Sequence, residues 1–155
     1  MALSNTVFID RSNRANAFAA FDSAAQQMRT KRQSVYIFPE GTRSYSARAD
    51  LLPFKKGAFH LAVQAQVPVV PIVVANYAHL LSARRRVFWP GRIPVRVLPP
   101  VDTKGLTFAD VDDLCARTRD AMLKALVEIS ARGEGANGAV EGKTSGADVK
   151  SVHKN

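Results

Sequence analysis

The residues with the most evident chemistry stand in one short stretch, where a carboxylate, a hydroxyl and a guanidinium directly follow an apolar run: Glu40, Gly41, Thr42 and Arg43. The run, Val35–Phe38, is typical of a buried strand, and Pro39 ends it because proline donates no hydrogen bond to a ladder. Ligands in an open α/β sheet bind beside the carboxyl ends of strands, so this stretch is a candidate binding site. The alternative is an ordinary turn with a solvated Glu–Arg pair.

The guanidinium in this stretch suits an anionic ligand. The guanidinium of Arg43 matches a phosphate with two parallel hydrogen bonds. Glu40 would repel a phosphate, so we expect it to accept a hydrogen bond from a ligand hydroxyl or to hold Arg11 or Arg43 in place. Lys55 and Lys56 precede a predicted helix whose first N–H groups also attract anions; the alternative is a pair of solvated lysines.

The N-terminal part of the chain is predicted to form a strand–helix–strand unit. Val7–Ile9 and Val35–Phe38 are short apolar runs, and apolar residues recur at helical spacing over Arg14–Lys31. Strands joined in this way pair in parallel. The pattern therefore predicts an α/β fold with a mostly parallel sheet flanked by helices.

Further strands are predicted in the second half. Val67–Val74 is apolar on both faces, as expected in the middle of a covered parallel sheet. Val87–Trp89 and Ile93–Leu98 flank a Pro-Gly dipeptide, which predicts a hairpin.

Two more helices are predicted, one ending near Gln66 and a longer one with an apolar face from Val111 to Ile129. Thr107 with Asp110 resembles a capping box before the second of them. From Gly133 onward, glycines and scattered charges cannot bury enough apolar area to offset chain entropy. We therefore expect one domain over residues 1–131 and a disordered tail over residues 132–155.

The composition narrows the function classes. A length of 155 residues fits one domain, and a single cysteine, Cys115, excludes an internal disulfide framework and fits a reducing compartment. No apolar run approaches the ~20 residues that span a bilayer. The net charge of +9, with Arg84–Arg86 as a local cluster, suits an anionic membrane surface, a phosphorylated substrate or a nucleic acid. A nucleic-acid motif is absent from the sequence, so no nucleic-acid partner is expected.

Three stretches resemble sequence blocks of the glycerolipid acyltransferases, specifically the 1-acylglycerol-3-phosphate (lysophosphatidate) acyltransferases. Phe38–Ser44, with the sequence FPEGTRS, is similar to the third block of this family, Phe8–Arg11 to the second and Val69–Val73 to the fourth. The resemblance covers roughly residues 5 to 130. It implies a glycerol-3-phosphate acyltransferase-like fold, mixed but mostly parallel, of which this chain is a partial domain.

The resemblance also implies roles for individual residues. The second and third blocks would bind the phosphate and glycerol of the acceptor, with Lys55 extending the pocket: Arg11, Glu40, Gly41, Thr42, Arg43 and Lys55. The fourth block would lie on the acyl-donor side through Val70, Pro71 and Ile72. The implied reaction uses acyl-CoA as co-substrate, with no cofactor and no metal. The implied location is a cytosol-facing membrane such as the endoplasmic reticulum, and the implied partner is that membrane surface.

The family's first block, a histidine followed after four residues by an aspartate, is missing from this sequence. That histidine is the general base for the acceptor hydroxyl, and the aspartate orients it. None of His60, His79 and His153 has an aspartate five positions later. We therefore expect no catalytic residue in this chain and little activity from it alone, as for a fragment. The alternative is a non-catalytic protein that binds anionic phospholipid or a membrane surface.

Overall fold

The computed structural model describes residues 14–141, and the side chains of residues 22–131 within them. Helix α1 (Arg14–Lys31) and helix α2 (Gly57–Ala65) precede four short strands and a long helix. The strands are β1 (Ile72–Val74), β2 (Leu81–Ser82), β3 (Val87–Phe88) and β4 (Val95–Val97), and a 3-10 turn at Phe108–Asp110 leads into helix α3 (Val111–Glu141). No helix in this part of the chain is long and apolar enough to cross a membrane.

Helices α1 and α2 pack closely through small side chains. Ala24 and Ala25 of α1 lie against Leu61 and Ala65 of α2, and all four are buried. Alanines let two helix backbones approach, which buries apolar area on both helices. The predicted bounds of α1 are confirmed.

A second core cluster joins α2 to the start of α3. Phe59 and Val63 pack against Val111 and Leu114, and all four side chains are buried. The α3 start is fixed just upstream, where the backbone N–H and the hydroxyl of Thr107 both donate to the Asp110 carboxylate at 2.7 and 2.8 Å. The backbone N–H of Thr107 is the main cause that lowers the pKa of Asp110. The predicted capping box is thus confirmed.

The central ladder pairs β1 with β4 in antiparallel orientation, with Val73 opposite Arg96. The face that carries Val73 packs on α3, and the Arg96 guanidinium on that face lies 2.7 Å from the Glu128 carboxylate. The opposite face carries four exposed β-branched side chains: Ile72, Val74, Val95 and Val97. The ladder is therefore covered by α3 on one face only within the described part of the chain.

The strand predictions were partly wrong. Val67–Val74 contributes only the strand β1, and its burial alternates instead of extending to both faces. The predicted hairpin between Val87–Trp89 and Ile93–Leu98 does not form, because β3 pairs with β2 and β4 pairs with β1. Both named ladders are antiparallel. The α/β class is confirmed, and local spacing could not specify which short strands meet.

Two further predictions differ from the structure or lie outside it. Val35–Phe38 does not form the predicted buried strand: it has no ladder partner among the described residues, and Tyr36, Ile37 and Phe38 are exposed. Its predicted parallel partner, Val7–Ile9, lies outside them, so that pairing stays a prediction. Helix α3 continues past Gly133 to Glu141, so the start of the predicted disordered tail is helical instead. The helix, already formed over several turns, propagates through these glycines at one hydrogen bond per added residue.

Candidate functional site

The candidate site is built on a tight turn that follows the segment Val35–Phe38. The N–H of Gly41 donates to the carbonyl oxygen of Phe38 at 3.1 Å, and Gly41 has a φ of +70°. The N–H of Lys55 donates to the carbonyl oxygen of Pro39 at 2.6 Å. These bonds bring the turn against the segment that leads into α2. A Cβ at position 41 would lie 3.4 Å from the Lys55 Cγ, so the two predicted site residues Gly41 and Lys55 are neighbours.

Gly41→Ala should lower the free energy of unfolding by about 1–2 kcal/mol, because an L side chain is strained in the left-handed region. Gly41→Asn should lose less, since asparagine tolerates that region. Thermal or urea unfolding measures both. Gly105→Ala is the positive control and should lose a similar amount, because Gly105 has a φ of +77° and no atom within 4 Å of an added Cβ. If Gly41→Ala is as stable as the parent chain, the turn geometry is wrong.

Glu40 is held by the loop that follows the site. Its Oε2 accepts a hydrogen bond from the backbone N–H of Leu52 at 3.1 Å, and the side chain is half-buried. Among the described residues no arginine or lysine forms an ion pair with this carboxylate. The expected role of holding Arg43 is therefore not observed. The carboxylate is instead fixed by a backbone donor, with its Oε1 directed to no described partner.

Arg119 of α3 supports the same loop. Its Nε donates to the carbonyl oxygen of Leu52 at 3.4 Å, its Nη2 donates to that of Leu51, and the guanidinium lies 3.9 Å from the Asp50 carboxylate. Leu52 in turn bonds Glu40, so α3 fixes the position of the Glu40 carboxylate through the loop. Sequence reasoning missed Arg119. Its only signal is a basic residue beside the apolar stripe of α3, which does not indicate a partner.

The cations predicted to bind phosphate differ in their surroundings. Arg43 and Thr42 are exposed, and Arg43 has no carboxylate partner in the described part of the chain. Lys55 is also exposed, beside Gly41. Lys56 instead lies 2.7 Å from the Asp112 carboxylate of α3, which separates its role from that of Lys55. Arg11 lies outside the described residues, and its place in the site stays a prediction.

An apolar groove extends from the turn toward β1. It is lined by Tyr36 and Ile37 and by Val70, Pro71 and Ile72, the three residues predicted to lie on the acyl-donor side. Thr118 of α3 also lines the groove, and its buried hydroxyl has no hydrogen-bond partner among the described residues. The structure thus places residues 70–72 and the start of the turn on one continuous apolar surface.

The remaining candidate nucleophiles and bases lie elsewhere. His60 is half-buried, with its ring centroid 5.6 Å from that of Phe108. Burial is the main cause that raises the pKa of the Cys115 thiol, followed by the nearby Asp112 carboxylate, so the thiol packs in its protonated form. No group of three or more possible metal ligands occurs among the residues whose side chains the structure describes.

Comparisons with known proteins define the class of this domain. A family model described as "Acyltransferase" matches residues 1–75. The crystal structure of the 1-acyl-sn-glycerophosphate (LPA) acyltransferase PlsC from Thermotoga maritima superposes with a TM-score of 0.58 at 30% identity, over 74% of this chain and 46% of that chain. The fold is therefore that of a partial acyltransferase domain.

Two curated relatives narrow the class. The human 1-acyl-sn-glycerol-3-phosphate acyltransferase alpha is 47% identical over 133 residues, which cover 86% of this chain and 46% of that protein. The uncharacterized acyltransferase C1851.02 of Schizosaccharomyces pombe is 52% identical over 134 residues, 86% of this chain and 48% of that protein. These relatives and the crystal structure support the 1-acylglycerol-3-phosphate acyltransferase family for this chain, which confirms the resemblance. The chain spans about half the length of the curated relatives it matches.

Proposed function

We propose that this chain is part of an enzyme that transfers a fatty acyl group from acyl-CoA to the free hydroxyl of 1-acylglycerol-3-phosphate, producing phosphatidate. The acceptor oxygen forms the new ester bond to the acyl carbonyl carbon, the carbon–sulfur bond of the thioester breaks, and the coenzyme A thiolate leaves. The hydroxyl proton passes to a general base from a His-x4-Asp block. The proposed reaction uses no cofactor and no metal. The proposed location is a cytosol-facing membrane such as the endoplasmic reticulum.

One observation supports the proposal: the Glu40 carboxylate is anchored at the turn of residues 38–41, and two residues near it in the sequence or in the fold, Arg43 and Lys55, have no carboxylate partner among the described residues. Lys55 lies beside Gly41, and Arg43 follows two residues later in an exposed position. In this arrangement Arg43 and Lys55 bind the acceptor phosphate, because both are charged donors that the described part of the chain leaves without a carboxylate. Arg11 is the third cation of the proposed site.

The carboxylate has a separate role from the cations. The backbone N–H of Leu52 donates to one carboxylate oxygen of Glu40, so the other oxygen can accept a hydrogen bond from a glycerol hydroxyl. A carboxylate whose rotamer is already fixed loses little entropy when it binds such a hydroxyl. The loop held by Arg119 therefore orients the acceptor relative to the bound phosphate.

The apolar groove supports the acyl-donor side of the proposal. It is lined on one side by Val70, Pro71 and Ile72 and begins beside Pro39, directly before the turn. An apolar channel next to an anion site suits a ligand with a charged head and a hydrocarbon chain. In this proposal the groove binds the acyl chain of the donor. The thioester of the donor then lies beside the turn that binds the polar end of the acceptor.

Arg43→Ala should weaken binding of monomeric lysophosphatidate to this chain about 10- to 150-fold, the loss expected for a hydrogen bond to a charged group. The affinity of Arg43→Lys should lie between those of the parent chain and Arg43→Ala, because an ammonium keeps the charge but not the geometry for two parallel hydrogen bonds. Equilibrium binding of labelled lysophosphatidate measures the effect. Arg48→Ala is the matched control, an exposed arginine of the same loop. If both variants lost the same affinity, Arg43 would act only through unspecific charge attraction, which would contradict the proposed site.

A second candidate is a non-catalytic protein that binds anionic phospholipid. The observation in its favour is that the sequence keeps the third block but contains no His-x4-Asp. The two candidates differ in turnover. Retained affinity for lysophosphatidate without any product, even after a segment with that block is supplied, would favour the binding protein.

A further inference from the structure

A short hairpin carries the local arginine cluster of this chain. Strands β2 and β3 pair Leu81 with Phe88 and Ser82 with Val87, and Trp89 donates its N–H to the carbonyl oxygen of Leu80 at 2.8 Å. The turn between the strands is closed by the Arg85 N–H, which donates to the Ser82 Oγ at 3.3 Å. We call residues 80–89 the arginine hairpin.

The arginine hairpin exposes large apolar side chains. Phe88 is 83% exposed and Trp89 is 65% exposed, and Leu81 opposite Phe88 is also exposed. None of the three belongs to a core cluster of the described residues. Two exposed aromatic side chains that are consecutive in sequence and an exposed leucine mark an interaction site, because their burial in an apolar phase is favourable.

The charges beside these side chains all have one sign. Arg84, Arg85 and Arg86 form the turn, and all three are exposed. The sequence has no acidic residue from position 80 to position 101, and the turn arginines have no ion pair within the described part of the chain. The partner of this surface must therefore supply negative charge as well as an apolar region.

The hairpin is attached beside the loop of the candidate site. Leu80 and Leu81 donate their N–H groups to the carbonyl oxygen of Tyr77 at 2.9 Å. The neighbouring Asn76 donates through Nδ2 to the carbonyl oxygens of Ser46 and Arg48 at 3.1 and 2.8 Å. Asn76 thus connects the base of the hairpin to the loop that follows the turn at residues 38–41.

We propose that the arginine hairpin docks the protein on membranes that contain anionic phospholipids. Phe88 and Trp89 enter the boundary between headgroups and acyl chains, where aromatic rings are favoured, and Arg84–Arg86 contact lipid phosphates. The inference goes beyond acyl transfer and does not depend on it. If the chain also binds lysophosphatidate, the connection through Asn76 holds that site next to the surface in which such a lipid lies.

Nucleic acid is the other polyanion that arginines and aromatic rings bind. A lipid surface is the better fit, because Leu81 and Phe88 form a cross-strand apolar pair that has no counterpart in base stacking alone. A nucleic-acid complex would depend steeply on salt through the arginines. A membrane complex would also need the apolar side chains of the hairpin.

The unmodified chain provides the first test, because Trp89 is its only tryptophan. Phosphatidylcholine vesicles that contain phosphatidylserine should shift its fluorescence emission to shorter wavelength and shield it from an aqueous quencher, whereas phosphatidylcholine alone should have little effect. An emission spectrum that anionic vesicles leave unchanged would overturn the proposal. So would tight, salt-sensitive binding of RNA or DNA together with no shift on vesicles.

Variants provide the second test, by vesicle flotation without acyl-CoA or lysophosphatidate. Replacing Arg84, Arg85 and Arg86 by glutamine should lower binding about 100-fold, at about fivefold per arginine. The matched control replaces three exposed basic residues outside the hairpin by glutamine: Arg48, Lys104 and Lys124. This control variant removes the same amount of positive charge, and its vesicle binding should fall only a few-fold. Equal losses in the two variants, or full binding by Phe88→Ser/Trp89→Ser, would also overturn the proposal.

Discussion

The purified 155-residue chain should acylate lysophosphatidate ~10²–10⁴-fold more slowly than a chimera in which a segment with the family's His-x4-Asp block precedes it. An acceptor hydroxyl is a weak nucleophile until a base removes its proton, and a general base contributes a factor of that size. The residues of the turn can position the acceptor, but positioning accelerates transfer only when the base is also in place. Release of free coenzyme A and formation of labelled phosphatidate measure the rates.

The control for this experiment is the same chimera with the histidine of the supplied block changed to alanine. It should return to the rate of the 155-residue chain while it still binds lysophosphatidate. Equal rates for the chain and the intact chimera would contradict the prediction. His60 and His79 would then be the bases to test, and His60→Ala in the unextended chain would be the first variant.

Leu114→Ala should lower the free energy of unfolding by about 2–5 kcal/mol, the range for truncating a fully buried leucine. The Leu114 side chain is 0% exposed and packs against Phe59, Val63 and Val111, so its removal leaves a cavity between α2 and α3. Urea denaturation followed by circular dichroism measures the change.

Val127→Ala on the same helix is the control for the Leu114 variant. Val127 is 51% exposed, so its truncation removes little buried area, and alanine has the higher helix propensity. We expect a change within about 0.5 kcal/mol. A loss below about 1 kcal/mol for Leu114→Ala would mean that the joint between α2 and α3 does not form the core described above.

Helices were more predictable from the sequence than strand pairing. The bounds of α1 follow from apolar residues at helical spacing, and the start of α3 follows from Thr107 and Asp110, because both signals are local. The pairing of β1 with β4 depends on which of several short apolar runs fits the surface of α3. That choice is made by packing between distant residues, which spacing within one run does not encode.

The candidate site shows the same division. The sequence places Glu40, Gly41 and Arg43 directly after Pro39, and Gly41 has a left-handed φ that glycine adopts without strain. The contribution of Arg119 could not be predicted, because its contact with Leu52 joins residues 67 positions apart through a long side chain. The strongest sequence signal for the site came from the seven-residue stretch FPEGTRS.

The uncovered face of the β1–β4 ladder governs how the chain behaves in solution. Four β-branched side chains on two short strands form an exposed apolar patch. The outer edges of this short ladder also offer unpaired backbone groups. We therefore expect copies of this chain to associate through this face at high concentration, and a mild detergent that covers the face to reduce the association. Substituting lysine for Val95, at a position that contacts no core cluster of the described residues, makes the same surface water-compatible.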